Sequence, residues 1–576
     1  MSWISNTLKD YLANTLELSA EEINRCFSAS RNPKEGNYTL AGFPLAKKMG
    51  ITPVQVSEKW SQILSEQKQR PTLITSFKAS GPYLNFILDG PSIAEGLLKE
   101  IFNKGDHWGH SKNHQGERVC LDFSSPNIAK PFAIHHIRST LIGASLARLL
   151  ETQGFNVEKI NHLGDWGTQF GYVIEAYKKY QDGQDLGDNP LKTLVGLYQK
   201  INNEAAETGN NIIHDKARHW FKKLEEGDEE AKRLWKWFRD VSIQELEKIY
   251  NRMGIHFDVY RGEAHYEDQL EATVERVNNK GLLEESEGAM VVNLGKKMPP
   301  ILLKKSDGAT LYATRDLAAL LDRWERGNYT YNIYVVAIQQ NLHFKQLFSL
   351  VDKMKHPSSG KNIHVGFGML RMPDGTTGTT RKNNLIYLDE VLDTAHKKAR
   401  EKIDDSKIDD SIDKKLASEQ VGLGAVYFND LKSKRIKDIT FQWDDVLNFE
   451  GRTGAYLQFG QARMGSILSK GRYSIDTPYN PQLLNHSREK DLLIMMDKYE
   501  DVLSEAAEEF EPNTVINYLF DLVQLYSSLT QDKVEGVKIL VDDENLRNAR
   551  LALVAACQKT LISGLNITCI PCPERM

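Results

Sequence analysis

The chain has 576 residues, which is long enough for several domains with sizeable cores. Charged residues make up 26% and hydrophobic residues 40%, a balance typical of an ordinary soluble protein. No apolar run approaches a membrane span, and the first ten residues lack the basic start and apolar core of a signal peptide. Five cysteines exclude a disulfide framework, and a net charge of −5 excludes a generally basic surface for nucleic acid. We therefore expect a cytoplasmic protein without a membrane partner, in which any RNA contact uses a local basic face.

Residues 1–112 form the first predicted domain, an α+β module. Helical patterns at 8–16, 44–49 and 54–66 precede an alternating strand at 83–88. A glycine-rich, charged link ends the module.

A strand, loop, helix and strand unit opens the second predicted domain, residues 113–410. Residues 118–123 form an apolar strand, residues 137–151 carry apolar side chains at helical spacing, and a second strand covers 157–163. Such a unit favours a parallel, Rossmann-like sheet with a ligand at the loop and the helix N-terminus. The loop side chains that can meet phosphate or carboxylate are Ser124, Ser125, Asn127, Lys130, His135 and His136. The residues alone predict an anion site, with a polar loop that only caps the helix as the alternative.

The remainder of the chain is predicted to be mostly helical. A charged insertion, about 185–253, is expected to be a surface helical pair, and further strands are expected at 333–338 and 364–370. From residue 411 onward, amphipathic stripes at 449–468, 491–510, 513–529 and 544–565 predict a third, all-α domain, 411–576. Cys569 and Cys572 form one C-x-x-C pair without an adjacent second pair of ligands, so no metal site is predicted.

Several motifs resemble segments of the arginyl-tRNA synthetase family, and they follow that family's order over nearly the whole chain. SSPNIAKPF, IRST and GDWGTQFG (124–132, 137–140 and 164–171) resemble its active-site segment, in a form similar to eukaryotic members. FKASGPYLNF (77–86) resembles the end of its tRNA-contacting N-terminal domain, and FEGRTGAYLQ (449–458) with the closing PERM resembles its anticodon-binding helices. The resemblance implies a class I synthetase: a Rossmann-like α/β catalytic domain with an N-terminal α+β domain and a C-terminal helical bundle.

The loop departs from the family's His-x-Gly-His signature, whose first three positions hold Ala133, Ile134 and His135 here. Alanine cannot supply the imidazole that stabilises charge on the ATP α-phosphate. His135 fills the space that a glycine leaves for adenine. The family's second signature is a Met-Ser-Thr-Arg-Lys-Gly loop that holds the phosphates, and it reads GTTRKN here (378–383). It keeps the cations Arg381 and Lys382 but ends in asparagine instead of glycine. The resemblance places Ala133, His343, Thr380, Arg381 and Lys382 in the former ATP-phosphate site or at the tRNA 3′ end.

The same resemblance implies an arginine pocket. A planar guanidinium is best met by carboxylates that accept paired hydrogen bonds, and Glu263 and Asp316 are present for that purpose. The full set implied by the family is Ser125, Asn127, Glu263, Tyr312, Asp316 and Gln340.

The resemblance implies that the arginine pocket is retained and that the ATP-binding part of the site is altered. This combination predicts an enzyme that receives arginine already charged on tRNA and makes an arginine-containing cyclodipeptide without ATP. Its predicted catalytic residues are His135, His136 and Lys130, with His135 either an acid–base group or a filler of the adenine slot. The expected partners are tRNA(Arg) or arginyl-tRNA and a second amino acid or aminoacyl-tRNA, bound by a monomer. Two alternatives stay open. One is an arginine–tRNA ligase that uses ATP and magnesium, and the other is a non-catalytic regulator that binds tRNA or arginine.

Overall fold

The computed structural model describes residues 2–574 except 31, 33, 34, 129, 131, 182, 209, 210, 309, 373, 374, 376–385, 405–412, 447–450, 533 and 535. Three parts follow one another: an N-terminal α+β part, a central part built on a parallel sheet, and a C-terminal helical part. The fold class predicted from the sequence is confirmed. Within the described ranges, no helix is both long and apolar enough to cross a membrane.

The N-terminal part is an antiparallel sheet covered by helices. In chain order it contains α1 (Trp3–Leu16), α2 (Ala20–Cys26), β1 (Phe27–Ala29), β2 (Tyr38–Ala41), α3 (Phe43–Met49), α4 (Pro53–Ser65), β3 (Ile74–Ser80), β4 (Tyr83–Leu88) and α5 (Gly90–Lys104). The strand order is β1-β2-β4-β3, and α4 packs on the last two strands of that order. Trp60 of α4 and Leu84 of β4 are almost inaccessible to solvent, which places the core between that helix and the sheet.

The central part begins with the predicted strand, helix and strand. In chain order it contains β5 (Arg118–Asp122), α6 (His136–Thr152), β6 (Asn156–Asn161), α7 (Thr168–Tyr180), α8 (Pro190–Thr208), α9 (Asn211–Glu225), α10 (Glu229–Met253), β7 (Val259–Tyr260), α11 (Leu270–Asn278), β8 (Leu283–Ser286), β9 (Ala289–Val292), β10 (Ile301–Lys304), α12 (Tyr312–Gly327), β11 (Tyr331–Ala337), α13 (Asn341–Lys353), β12 (Asn362–Phe367), β13 (Leu370–Arg371) and α14 (Leu388–Asp404).

A parallel sheet in the order β12-β11-β5-β6-β7 organises this part. β5 is its middle strand, and Val119 pairs with Tyr331 on one side and Val157 on the other. Because every neighbour is parallel, the carboxyl ends of β5, β6 and β11 meet at one edge, which is where such sheets bind ligands.

The insertion between the two halves of the sheet differs from its prediction. The sequence predicts a surface helical pair, whereas the structure has three helices, α8, α9 and α10. The prediction is also wrong about the surface, because α10 buries Phe238, Leu246 and Tyr250 against the rest of the central part.

The C-terminal part is the predicted helical bundle. In chain order it contains α15 (Lys414–Leu431), β14 (Ile439–Thr440), α16 (Trp443–Val446), α17 (Gly454–Lys470), α18 (Ser487–Asp497), α19 (Tyr499–Glu508), α20 (Pro512–Gln531) and α21 (Glu544–Ile567). The single helix expected at 491–510 is two helices that meet at Lys498. β13 of the central part pairs with β14, so a short parallel ladder joins the two parts.

Helix α6 lies at the centre of the molecule. Nearly all of its residues are buried, which is the pattern of a helix that is covered on every side. It packs on β5, β6 and β11 of the sheet and also on α15, α19, α20 and α21 of the bundle. Gly143 permits the close approach to the sheet, because a Cβ there would lie 2.2 Å from the Phe123 ring.

The buried Arg138 of α6 joins the catalytic sheet to the bundle. Its Nε lies 3.1 Å from the Asp430 carboxylate, and both side chains are almost inaccessible to solvent. Its Nη1 donates to the carbonyl groups of Gly368 (2.6 Å) and Lys437 (2.8 Å), and its Nη2 donates to the carbonyl of Arg435 (3.2 Å). Removing this guanidinium would leave the buried Asp430 carboxylate without its counter-charge and the Gly368 and Lys437 carbonyl groups without this donor. The Arg435 carbonyl would keep the hydrogen bond from the Gly368 N–H.

We expect Arg138→Met to lower the free energy of unfolding by about 3–5 kcal/mol, because breaking a buried ion pair leaves the remaining charge uncompensated. Urea denaturation followed by circular dichroism measures the loss. Arg276→Met is the matched control, since Arg276 pairs with Glu325 on the surface and such pairs contribute about 1 kcal/mol or less. Equal effects of the two substitutions would show that Arg138 does not join the two parts.

Candidate active site

The loop after β5 is held in an unusual backbone conformation by side-chain hydrogen bonds. Ser124 and Ser125 have φ values of 69° and 48°, in the left-handed region that residues with a Cβ seldom adopt. The Ser124 N–H donates to Ser139 Oγ of α6 (2.9 Å), and its hydroxyl contacts the Tyr250 hydroxyl of α10 (2.7 Å). The Ser125 hydroxyl donates to the Asp122 carboxylate (2.7 Å). Two helices and the strand end therefore fix the course of this loop.

The signature segment pairs with the chain that precedes α14. Ala133 forms a bridge with Tyr387, the Ile134 N–H donates to the Ile386 carbonyl (3.0 Å), and the Leu388 N–H donates to the Phe132 carbonyl (3.0 Å). Ala133 is fully buried by this pairing. The second signature, which includes Thr380, Arg381 and Lys382, lies outside the described residues. Residues 386–388, which follow that signature in the chain, are bonded to the first signature by these backbone contacts.

His136 presents one ring nitrogen to the protein and leaves the other open. Its Nδ1 lies 3.1 Å from the nitrogen and 3.2 Å from the oxygen of Ala133, and its ring stacks on Phe132 with centroids 5.1 Å apart. None of the described residues hydrogen-bonds to its Nε2. His135, the residue before α6, lies with its ring centroid 4.1 Å from that of His136.

Both histidines are neutral at physiological pH. Burial lowers the pKa of His135. Burial, with added repulsion from His135, lowers the pKa of His136 to about 3. When Nδ1 accepts the hydrogen bond from the Ala133 N–H, the single proton of the neutral imidazole is on Nε2, which can then donate a hydrogen bond.

A cavity of about 180 Å³ lies between α6 and the ends of β11 and β12. It is lined by Ser124, Ser125, His135, His136, Ser139, Val335, Val336, Ala337, Phe367, Met369 and Leu370. The apolar walls and the ends of the two strands suit a flat, uncharged ring, and the two histidines border one side.

Glu263 is a carboxylate held without a direct partner. It opens a short 3₁₀ helix, Glu263–Gln269, and its N–H donates to the Leu163 carbonyl (3.0 Å). Among the described residues its carboxylate accepts no hydrogen bond. Burial raises the pKa of Glu263 to about 7, with Arg315 opposing the shift and Asp316 adding to it. Burial lowers the pKa of Lys130, and attraction to the Glu263 carboxylate opposes that change.

Asp316 is the second acid of this cluster and is bordered by two histidines. Its Oδ2 lies 2.6 Å from Nε2 of His343, and its Oδ1 lies 4.0 Å from Nε2 of His162. The Tyr312 ring lies 5.0 Å from the His343 ring and is 60% exposed. The structure thus brings Glu263, Asp316, Tyr312 and His343 to the same edge of the sheet.

The remaining predicted residues lie around this edge. Asn127 forms a parallel bridge with Gly164, where a Cβ would come within 2.4 Å of its side-chain oxygen. Gln340 is exposed directly before α13. In the described residues, no group of three or more His, Cys, Asp or Glu side chains is arranged to hold a metal ion.

The sequence interpretation missed His162, Asp165, Arg239 and Tyr250. His162 directly follows the last residue of β6, the position where a parallel sheet places ligand-binding side chains. Arg239 and Tyr250 are eleven residues apart, which is three helical turns and therefore one face of α10. These two patterns are the sequence signals that point to His162, Arg239 and Tyr250.

Comparison with known proteins decides the family. A family model described as "tRNA synthetases class I (R), catalytic domain" matches residues 98–443, more than half of the chain. The chain belongs to the arginyl-tRNA synthetase family. The family model "Arginyl tRNA synthetase N terminal domain" matches residues 3–88 of the chain, and "DALR anticodon binding domain" matches residues 457–576.

Relatives and solved structures match the chain over nearly its whole length. It is 39% identical to a protein of Halothermothrix orenii named arginine–tRNA ligase, over 97% of both chains. It is 38% identical to a ligase of the same name from Clostridioides difficile, over 100% of this chain and 99% of the relative. The arginyl-tRNA synthetase structure of Plasmodium falciparum has a TM-score of 0.80 and 25% identity, with both chains fully covered. That of Thermus thermophilus has a TM-score of 0.81 at 22% identity and covers 99% of this chain and 100% of its own, which shows a shared fold.

These findings correct two interpretations of the sequence. The cyclodipeptide reaction is wrong, because relatives at 37–39% identity over the whole chain are named as ligases. The role predicted for His135, as the base of a transfer between two aminoacyl groups, belongs to that reaction and is therefore no longer expected. The likeness to eukaryotic members is also wrong as a subtype, because these relatives are bacterial.

Replacing Glu263 should stabilise the protein above neutral pH. A carboxyl whose folded pKa is raised above its unfolded value of about 4.5 destabilises the fold once pH exceeds both values. We expect Glu263→Gln to raise the free energy of unfolding at pH 8 by about 1–3 kcal/mol, since each pKa unit corresponds to about 1.4 kcal/mol. The gain should shrink to about 0.8 kcal/mol or less at pH 5, where folded Glu263 is protonated but the unfolded carboxyl is still mostly ionised. Urea denaturation at both pH values measures it.

The exposed Asp268 in the same 3₁₀ helix supplies the control. Asp268→Asn should change stability by less than about 0.5 kcal/mol at either pH. A Glu263→Gln variant that is no more stable at pH 8 would contradict the burial of an unpaired charge.

Proposed function

We propose that this protein is an arginine–tRNA ligase, which joins arginine to tRNA with hydrolysis of ATP to AMP and pyrophosphate. The observation that carries the proposal is the pair of acids, Glu263 and Asp316, in a chain that is collinear with proteins named as such ligases. The N-terminal and anticodon-binding family matches support tRNA as the partner. The ligase would act as a monomer in the cytoplasm.

The acidic cluster is suited to the arginine side chain. Glu263 and Asp316 repel each other in the free protein, and a guanidinium placed between them would relieve that repulsion. Its planar fork of five donors can serve both carboxylates, which a lysine ammonium does less well. Tyr312 and Gln340 border the opening of this cluster, and Ser125 and Asn127 lie on the loop that faces the main-chain end of the substrate.

The cavity beside α6 is suited to the adenine of ATP. Its walls of strand ends and apolar side chains match a flat heterocycle, and the open Nε2 of His136 is a donor at its border. Lys130, Arg381 and Lys382 are the cations proposed for the phosphates, which magnesium would accompany. Donors aimed at charge that develops in the transition state contribute more than donors that only bind the ground state.

The reaction needs two displacements. The arginine carboxylate oxygen attacks the α-phosphorus of ATP, and the bond to pyrophosphate breaks with its electron pair on pyrophosphate. A terminal hydroxyl oxygen of tRNA then attacks the carbonyl carbon of the adenylate, AMP leaves, and the hydroxyl proton is released. His136, His343 and the loop cations are proposed to stabilise the phosphate charge, while Ala133 contributes only its backbone to the pairing with Tyr387.

The altered signature is compatible with this proposal. The position that loses its imidazole, Ala133, is buried against Tyr387, and the second histidine of the signature is present at 136. His135 adds an imidazole beside it. The cavity thus has two neutral imidazoles at its border, which can supply donors to the nucleotide.

We expect the purified protein to form arginyl-tRNA from arginine, ATP and tRNA(Arg). Asp316→Asn should lower kcat/KM for arginine by about 100-fold, because it leaves a guanidinium without its ionic partner. The KM for ATP should stay within about threefold, because an asparagine at this position can still hydrogen-bond His343, the residue proposed for the phosphates. Filter assays with labelled arginine measure both, with Asp268→Asn as the unaffected control. Failure of the wild-type protein to charge tRNA, or an Asp316→Asn variant with normal arginine kinetics, would refute the proposal.

A further inference from the structure

The insertion helix α10 reaches the arginine cluster through one buried side chain, Asp165. This residue follows β6 and is 1% exposed. Its Oδ1 accepts a hydrogen bond from the Ala264 N–H (2.9 Å), and its Oδ2 accepts one from Arg239 Nε (2.8 Å). Each carboxylate oxygen therefore holds a different part of the chain, one the turn at Glu263 and the other the insertion helix.

The turn that carries Glu263 is built closely around Asp165. At Gly262 a Cβ would lie 2.2 Å from Asp165 Oδ1, so a side chain cannot fit there. Ala264, on the other side of Glu263, donates its N–H to that same oxygen. With the Glu263 N–H bonded to the Leu163 carbonyl, the backbone on both sides of Glu263 depends on where Asp165 lies.

On the opposite side, α10 fixes Asp165 with two side chains. Arg239 binds the carboxylate, and the Trp235 indole N–H donates to the Asp165 carbonyl (2.8 Å). Positions 235 and 239 are one helical turn apart and face the same way. Three turns further along, the Tyr250 hydroxyl bonds to Ser124 and accepts from the Asn161 amide (3.1 Å). Helix α10 is thus anchored at the loops that follow both β5 and β6.

From these contacts we propose that Arg239 is a positioning residue for arginine recognition, which acts through Asp165 to hold Glu263 in place. The inference rests on the proposed function, in which Glu263 meets the guanidinium. It assigns to the insertion a role that its charged, lysine-rich and tryptophan-rich sequence does not suggest. Arg239 itself does not contact the substrate.

The charges around Glu263 provide a readout that a purely structural role would not change. The groups that face it are Arg315 and Asp316 of α12, Asp165 after β6, Glu267 in its own 3₁₀ helix and Lys130 after β5. Arg239 neutralises one of these acids. Without Arg239, the unbalanced Asp165 charge would make Glu263 harder to ionise, so arginine binding would require a higher pH.

The test compares Arg239→Met, Arg239→Lys, Asp165→Asn and the control Arg233→Met, which alters an exposed arginine on the same helix. Each full-length variant is assayed for arginylation from pH 6 to pH 9, and arginine affinity is measured by calorimetry. For Arg239→Met we expect the KM and Kd for arginine to rise about 10- to 100-fold, with kcat and the KM for ATP within about threefold. The acid limb of kcat/KM should move upward by about half a pH unit or more.

Arg239→Lys should recover part of the affinity because it keeps the charge. Asp165→Asn can keep the hydrogen bond from the Ala264 N–H but loses the acceptor for Arg239 Nε, so it should weaken arginine binding. It should do so without the upward shift of the acid limb, since it removes the charge. Arg233→Met should match the wild type. An Arg239→Met variant with arginine KM within twofold and an unchanged pH profile would overturn the proposal. A wild-type protein that binds arginine without charging tRNA would overturn the proposed function alone, because the calorimetric Kd values would still report on Arg239.

Discussion

The hydrogen bonds to Ser124 fix the arrangement on which the candidate site depends. Ser139 of α6 and Tyr250 of α10 both bind this residue, which adopts a left-handed backbone conformation that is costly for serine. The loop that leads from Asn127 to His136 begins at that turn. Two packed helices therefore fix the start of this loop at Ser124.

The acidic cluster shows how the fold accepts a local cost for recognition. The buried Asp122 forms an ion pair in which its Oδ2 lies 2.7 Å from Arg323 Nη2. In the same way, Asp165 Oδ2 lies 2.8 Å from Arg239 Nε. Glu263 has no such partner among the described residues, and its raised pKa records the resulting penalty. Buried acids without partners are uncommon in ordinary cores, and a cationic ligand is the simplest group that removes the penalty.

The sequence predicts the framework of the catalytic part well because its signals are local. The apolar run of β5, the helical spacing of α6 and the glycine at 154, whose φ is 95°, each follow from short-range rules. The insertion is harder to predict from its sequence. The inward face of α10 includes Arg239, Ser242 and Tyr250, so its sequence is as polar as that of a helix exposed to solvent. Partners such as Asp165 lie about 74 positions away in the chain, beyond the reach of any local pattern.

The error about function has a different cause. The sequence interpretation treats Ala133 and His135 as isolated changes. The first removes a hydrogen-bond donor to the ATP phosphate, and the second fills the space that a glycine leaves for adenine. In the structure the backbone of residue 133 still pairs with Tyr387, and His136 still borders the cavity with an Nε2 to which none of the described residues hydrogen-bonds. The contribution of a signature residue depends on these surroundings, which a single sequence does not display.

Calorimetric titration of the wild-type protein with arginine at pH 6, 7 and 8 tests the central claim most directly. If Glu263, with a pKa of about 7, must ionise to meet the guanidinium, affinity should rise about tenfold from pH 6 to pH 8. Paired buffers of different ionisation enthalpy should show release of about half a proton at pH 7. An affinity that is independent of pH, with no proton released, would contradict the account.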